Sequence, residues 1–155
     1  MTAEDAGGRG GAGTPLVSEP NGVAQHDPGR GRTSRVLLVE DEPAIVTLVT
    51  AALERDGYEV TSRANGRDAL ELCAVPEERI DLLITDVVVP GVGGGDLVGA
   101  TRAQRPELPV LLISGYAGSR LEDVELRRGH TEFLAKPFRL AELLAVVSRL
   151  VGGGR

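Results

Sequence analysis

The sequence predicts a doubly wound α/β fold: a five-stranded parallel sheet of order 2-1-3-4-5 with helices on both faces. Three observations carry this. Short, almost wholly apolar runs alternate with amphipathic stretches along the chain. The apolar runs lack the in–out alternation of a half-exposed strand, so both sheet faces are covered. Finally, the β and α patterns alternate strictly, and right-handed crossovers then wind the helices onto both faces, with flavodoxin-like order the expectation for five strands.

The elements follow in order. Arg35–Glu40 (RVLLVE) reads as a buried first strand, and Pro43 suits the first turn of a helix. Ile45, Leu48, Val49, Ala52 and Leu53 then keep helical spacing until Asp56-Gly57 ends it. Tyr58–Ser62 is the second strand, and Arg67–Ala74 a helix with Ala69, Leu70 and Cys73 inward. Asp81–Thr85 is the third strand, followed by a glycine-rich loop through Gly93–Gly95 and a helix over Asp96–Gln104. Pro109–Ile113 is the fourth strand. A weaker helix is expected over Ser119–Arg128 and a short fifth strand over Glu132–Ala135. Leu140, Leu143, Leu144, Val147 and Leu150 mark a strong last helix.

Composition bounds the rest. The chain has 155 residues, 23 acids against 17 bases and a formal net charge of −6. This disfavours nucleic acid or an anionic membrane as the main partner. No apolar run approaches a membrane span of about 18 residues and no secretory h-region opens the chain. The single cysteine, Cys73, forms no internal disulfide. The expectation is a reducing, cytoplasmic setting. Residues 1–34 are rich in Gly and Pro with nearly balanced charges and read as a disordered tail. Residues 35–151 form the folded domain, and residues 152–155 a flexible end. Of the 17 Lys and Arg residues, only Lys136 is lysine, which marks a position where a compact ammonium matters.

In an open parallel sheet, ligands bind at the carboxyl ends of the strands near the switch in strand order. Glu40, Asp41 and Glu42 follow the first strand, Asp86 the third, Ser114 and Gly115 the fourth, and Lys136 and Pro137 the fifth. The first and third strands are neighbours, so Glu40, Asp41 and Asp86 are expected to cluster. Three carboxylates stay ionised together only around a cation. Oxygen-only ligands point to a hard divalent ion, Mg²⁺ first. With Lys136 and Ser114 converging there, the site suits a phosphoryl group. Read singly, each acid also fits a helix cap or a turn.

Four stretches, VLLVEDEP (Val36–Pro43), DLLITDVVVPGVGG (Asp81–Gly94), PVLLISGYA (Pro109–Ala117) and FLAKPF (Phe133–Phe138), together resemble the CheY-like receiver domain of two-component response regulators, notably those attached to hybrid sensor kinases. The resemblance implies that Asp86 receives a phosphoryl group from a phosphohistidine on a histidine kinase or His-phosphotransfer protein. It implies Mg²⁺ on Asp41, Asp86 and the Val88 carbonyl, with Glu40 assisting through water. Lys136 would pair with Asp86 and later with the phosphoryl oxygens, and Ser114 would close on the phosphoryl group as the switch. Gly115 would leave a path to the site, Tyr116 would overhang it, Phe133 would change rotamer, and the Lys136–Pro137 bond would be cis. Glu40 departs from the more frequent Asp.

The implied protein is a stand-alone switch or relay carrier with no enzymatic turnover beyond its own phosphorylation and dephosphorylation. Its downstream contact would use the face of the fourth helix, fifth strand and last helix. It would be a monomer or a phosphorylation-dependent dimer. The rival readings are an interaction module that is never phosphorylated, an aspartyl-phosphate phosphatase, and a DNA-binding regulator. The module predicts loss of an acid or of the lysine, and all are present. The phosphatase needs a further general acid near Asp86, where the loop carries only Val, Pro and Gly up to Asp96.

Overall fold

The computed structural model describes residues 32–115 and 130–152. Strands β1 (Arg35–Val39), β2 (Glu59–Arg63), β3 (Leu82–Asp86), β4 (Val110–Ser114) and β5 (Thr131–Ala135) alternate with helices α1 (Pro43–Arg55), α2 (Gly66–Cys73) and α3 (Gly94–Gln104), and α4 (Leu140–Gly152) follows β5. The sheet has the order β2-β1-β3-β4-β5 with every pairing parallel, as the sequence predicts. The helix expected over Ser119–Arg128 and Tyr116 lie outside the described residues, as does the tail up to residue 31. No helix among the described residues is long and apolar enough to cross a membrane.

The continuous apolar strands are explained by the two faces they cover. Val36, Leu38, Leu82, Ile84, Leu111 and Ile113 pack with α1 and α4 through Val49, Leu53, Leu143 and Val147. Leu37, Val39, Leu83, Val110 and Leu112 pack on the opposite face with Ala69, Cys73, Leu97 and Val98 of α2 and α3. Successive strand residues point to opposite faces, so a run such as RVLLV fills two cores at once. Each fully buried Leu or Ile contributes about 1.5–3 kcal/mol.

Several boundaries differ from expectation. Thr33 and Ser34 belong to the fold. Ser34 is buried and its carbonyl accepts the Glu59 N–H at 3.0 Å, while Thr33 accepts from Arg79. β2, β3 and β4 each run one residue later than the apolar pattern suggests, because polar residues still pair: Asp86 lies opposite Ile113, and Ser114 opposite Ala135. α3 begins at Gly94, not Asp96. Gly94 and Gly95 are therefore helical rather than loop. The reason is a close approach: a Cβ on Gly94 would lie 2.5 Å from the Asp86 carbonyl oxygen and 2.8 Å from Val87 Cα. Leu48, expected inward, is 53% exposed. α1 turns Val49 and Leu53 to the sheet and leaves Leu48 on its flank, beside Leu140 and Leu144.

Helix ends follow local chemistry. Pro43 occupies the first turn of α1, whose end is followed by Gly57 at φ 94°, a left-handed conformation that suits glycine. The Asn65 side chain caps α2 by accepting the Asp68 N–H at 2.9 Å. The irregular stretch between α2 and β3 is clasped by Arg105. Its guanidinium donates to the carbonyls of Cys73 (3.1 Å), Val75 (2.8 Å) and Glu78 (2.7 Å). These contacts deliver β3, and with it Asp86, in register beside β1.

Candidate functional site at the strand ends

β1, β3, β4 and β5 end at one edge of the sheet. Val39 is in register with Thr85, so the next residues, Glu40 and Asp86, stand side by side. Lys136 follows β5, and its backbone N–H donates to the Ser114 carbonyl at 2.8 Å. The Lys136–Pro137 peptide is cis. The lysine crosses to the centre of the sheet, where Nζ lies 2.5 Å from Asp86 Oδ2 and 3.2 Å from Glu40 Oε2.

Both carboxylates are held from a second side. Asp86 Oδ1 accepts the Val88 N–H at 2.9 Å, and Glu40 Oε1 accepts the Glu42 N–H at 3.2 Å. Glu40 is 2% exposed and Asp86 8%. The Thr85 hydroxyl donates to the Asp86 carbonyl at 2.9 Å. Burial raises the Glu40 carboxyl above its ordinary range, against the pull of the Glu42 N–H and the Lys136 ammonium. Burial opposes the charge on Lys136 too, but the carboxylates of Asp86 and Glu40 outweigh it and hold the ammonium above its usual pKa.

Lys136 meets Asp86, the pairing that the resemblance implies, and Glu40 shares it. No group of three or more His, Cys, Asp or Glu side chains poised to hold a metal occurs among the described residues. Glu40 and Asp86 share the Lys136 ammonium, and Asp41 is exposed at the rim. The cation that lets two carboxylates remain together is the lysine. The donors still fit Mg²⁺ in kind, since that ion keeps several waters and takes only one or two carboxylates.

The other predicted positions are also placed. Ser114 ends β4, half-buried, and Gly115 follows it exposed, with nothing within 4 Å of where a Cβ would stand. Val88 is exposed just past Asp86, and Pro137 is exposed beside Lys136. Phe133 lies on β5, opposite Leu112 and 40% exposed. His130 is at the surface. Sequence reasoning missed the Val88 N–H contact and the tight seat of Gly94. A glycine eight residues beyond the acid was the only available signal of the latter.

A doubly wound parallel sheet with two carboxylates and an ammonium gathered at its switch edge defines the class: an α/β protein whose polar site lies at the strand ends. The chain belongs to the response regulator receiver domain family of two-component systems, matched over residues 36–148. It is 37% identical over 134 residues to the transcriptional regulatory protein TcrA of Mycobacterium tuberculosis, covering 84% of this chain and 52% of the relative. It is 38% identical over 117 residues to a probable transcriptional regulatory protein of Picosynechococcus sp., covering 72% and 47%. The chain thus spans about half the length of these curated relatives. Among solved structures, it is similar to the receiver domain of sensor histidine kinase PA1611 from Pseudomonas aeruginosa, a structure with a magnesium ion coordinated in the active site cleft. That match has TM-score 0.69 and 31% identity, covering 78% of this chain and 99% of the other. The chemotaxis response regulator CheY4 of Vibrio cholerae gives TM-score 0.67 at 33% identity, covering 77% and 99%.

Proposed function

We propose that Asp86 accepts a phosphoryl group from a phosphohistidine of a histidine kinase or His-phosphotransfer protein, and that the modified domain signals through a protein contact or passes the group on. The observation that carries this is the Asp86 carboxylate held between the Val88 N–H and the Lys136 ammonium, at 2.9 and 2.5 Å. A carboxylate so fixed presents its remaining lone pairs in a constant direction, and phosphoryl transfer needs little beyond position and charge compensation.

In the transfer, an Asp86 oxygen forms a bond to phosphorus as the phosphorus–nitrogen bond of the donor breaks, and the electron pair leaves with the imidazole. Lys136 compensates the negative charge that arrives on the phosphoryl oxygens. The Ser114 hydroxyl then donates to one of those oxygens and draws the end of β4 toward it, and Phe133 on the neighbouring strand repacks in response. When bound, Mg²⁺ would be held by Asp41, Asp86 and the Val88 carbonyl, with Glu40 behind a water, and would supply further neutralisation of the phosphoryl oxygens. The chain catalyses no turnover other than its own modification and its reversal.

The test is intact-mass measurement after incubation with Mg²⁺ and acetyl phosphate, beside an Asp86→Asn control. One phosphoryl group on the native chain, absent from the control and suppressed by EDTA, supports the reading. No adduct after short incubation and rapid acid quench favours an interaction module that works unmodified.

A further inference from the structure

The start of α2 rests against the loop that follows Asp86. The Gly66 N–H donates to the Pro90 carbonyl at 2.9 Å. Gly66 is buried, and a Cβ there would collide with the Val92 carbonyl oxygen and lie 3.0 Å from Val92 Cβ. A backbone oxygen cannot rotate aside as a side chain can, so any side chain at 66 displaces the loop. Gly91 faces the same helix start. It takes φ 85°, and its Cβ position lies 3.6 Å from the Arg67 nitrogen. At the loop's base the Gly94 N–H donates to the Val87 carbonyl at 3.0 Å.

Val88 sits between these anchors, and its N–H holds Asp86 Oδ1. Of the two groups that grip the Asp86 carboxylate, Lys136 follows β5, and the other belongs to a loop whose far end is seated on α2. We propose that Gly66 is a positioning residue for Asp86: lacking a side chain, it lets α2 clasp the 87–93 loop and so fixes the Val88 N–H on the carboxylate. Gly66 touches no reacting atom. The effect on phosphoryl acceptance rests on the function proposed for Asp86, whereas the positioning itself does not.

The experiment compares the full chain with Gly66→Ala and Gly95→Ala. Gly95 is closer to Asp86 in sequence, but nothing lies within 4 Å of its Cβ position. Hydrogen exchange of the Val88 amide, read by NMR without metal or donor, is one measurement. The initial rate of acceptance from acetyl phosphate is the other. In Gly66→Ala, Val88 exchanges about tenfold faster while β1 amides keep their protection, and acceptance slows by about tenfold. Gly95→Ala changes neither. Should Gly66→Ala fail to fold, Asn65→Ala, which removes the α2 cap, gives the same pattern more weakly.

Unchanged Val88 exchange in the folded variant overturns the proposal. So does a loss of protection spread equally over β1, which marks general destabilisation. If the native chain accepts no phosphoryl group, the function proposed for Asp86 fails, and the exchange measurement alone decides the positioning role.

Discussion

Replacing Lys136 with methionine keeps a long apolar stem but removes the ammonium that Glu40 and Asp86 share. Removing one partner of a buried ion pair costs about 3–5 kcal/mol. Lys136 keeps 21% of its side chain exposed, so water screens part of the interaction and the expected loss at pH 7.5 is about 2–3 kcal/mol. The loss has a characteristic pH dependence. Glu40 is held above its ordinary value of 4.5 by burial. An acid raised by folding lends stability that is full below its unfolded pKa and lost as pH rises through its folded pKa. Lys136 holds that folded value down, and in Lys136→Met it moves higher. The deficit relative to the native chain is therefore complete above that value and shrinks as pH falls toward 4.5. Lys136 is itself raised from 10.5. Its contribution is full below that pH and is lost as pH rises through its folded value, outside the range tested. Urea unfolding followed by far-UV circular dichroism from pH 5 to 8 measures the difference. A variant as stable as the native chain at pH 7.5, or a deficit equal at every pH, refutes the shared-ammonium account.

In Gly94→Ala, the Cβ must enter a space 2.5 Å from the Asp86 carbonyl oxygen; a net destabilisation of about 1–3 kcal/mol by urea unfolding is expected, whereas a gain would mean that helix propensity governs the position. Cys73 is buried and its thiol is pushed up by burial. In the folded protein it should react with a disulfide reagent only at the rate of unfolding, so fast labelling under native conditions would contradict the packing on the α2–α3 side.

The strand sequence and sheet order are legible because fully covered strands must be apolar throughout, and few other patterns produce five such runs between helices. Where each strand stops is less legible, since Asp86 and Ser114 continue the ladder although nothing in their polarity says so. The start of α3 was hidden for a related reason. Three consecutive glycines read locally as loop, and only the backbone passing beneath Gly94 reveals why a side chain is excluded. The site residues could be named from their places after the strands. That Glu40 and Asp86 cluster and that Lys136 meets Asp86 was legible too; that Glu40 shares the ammonium while Asp41 stays at the rim was not, because side-chain rotation is not encoded in spacing. Leu48 illustrates the same limit on a helix: periodicity admits it to the inner face, but the docking angle of α1 excludes it.

The strict two-sidedness of the sheet has an evolutionary consequence. Among the described residues, the buried apolar strand residues divide between the α1–α4 core and the α2–α3 core, and substitutions far apart without shared partners combine additively. Substitutions on helices of opposite layers, held apart by the sheet, are therefore expected to add in their effects on stability. The Asp86 edge stands where the two meet, drawing Glu40 and Lys136 from just past β1 and β5 and Gly66 from a helix. Of the two layers, the α1–α4 side can therefore vary with less consequence for the rim, because Gly66 and Gly94, which seat the loop after Asp86, both lie on the α2–α3 side.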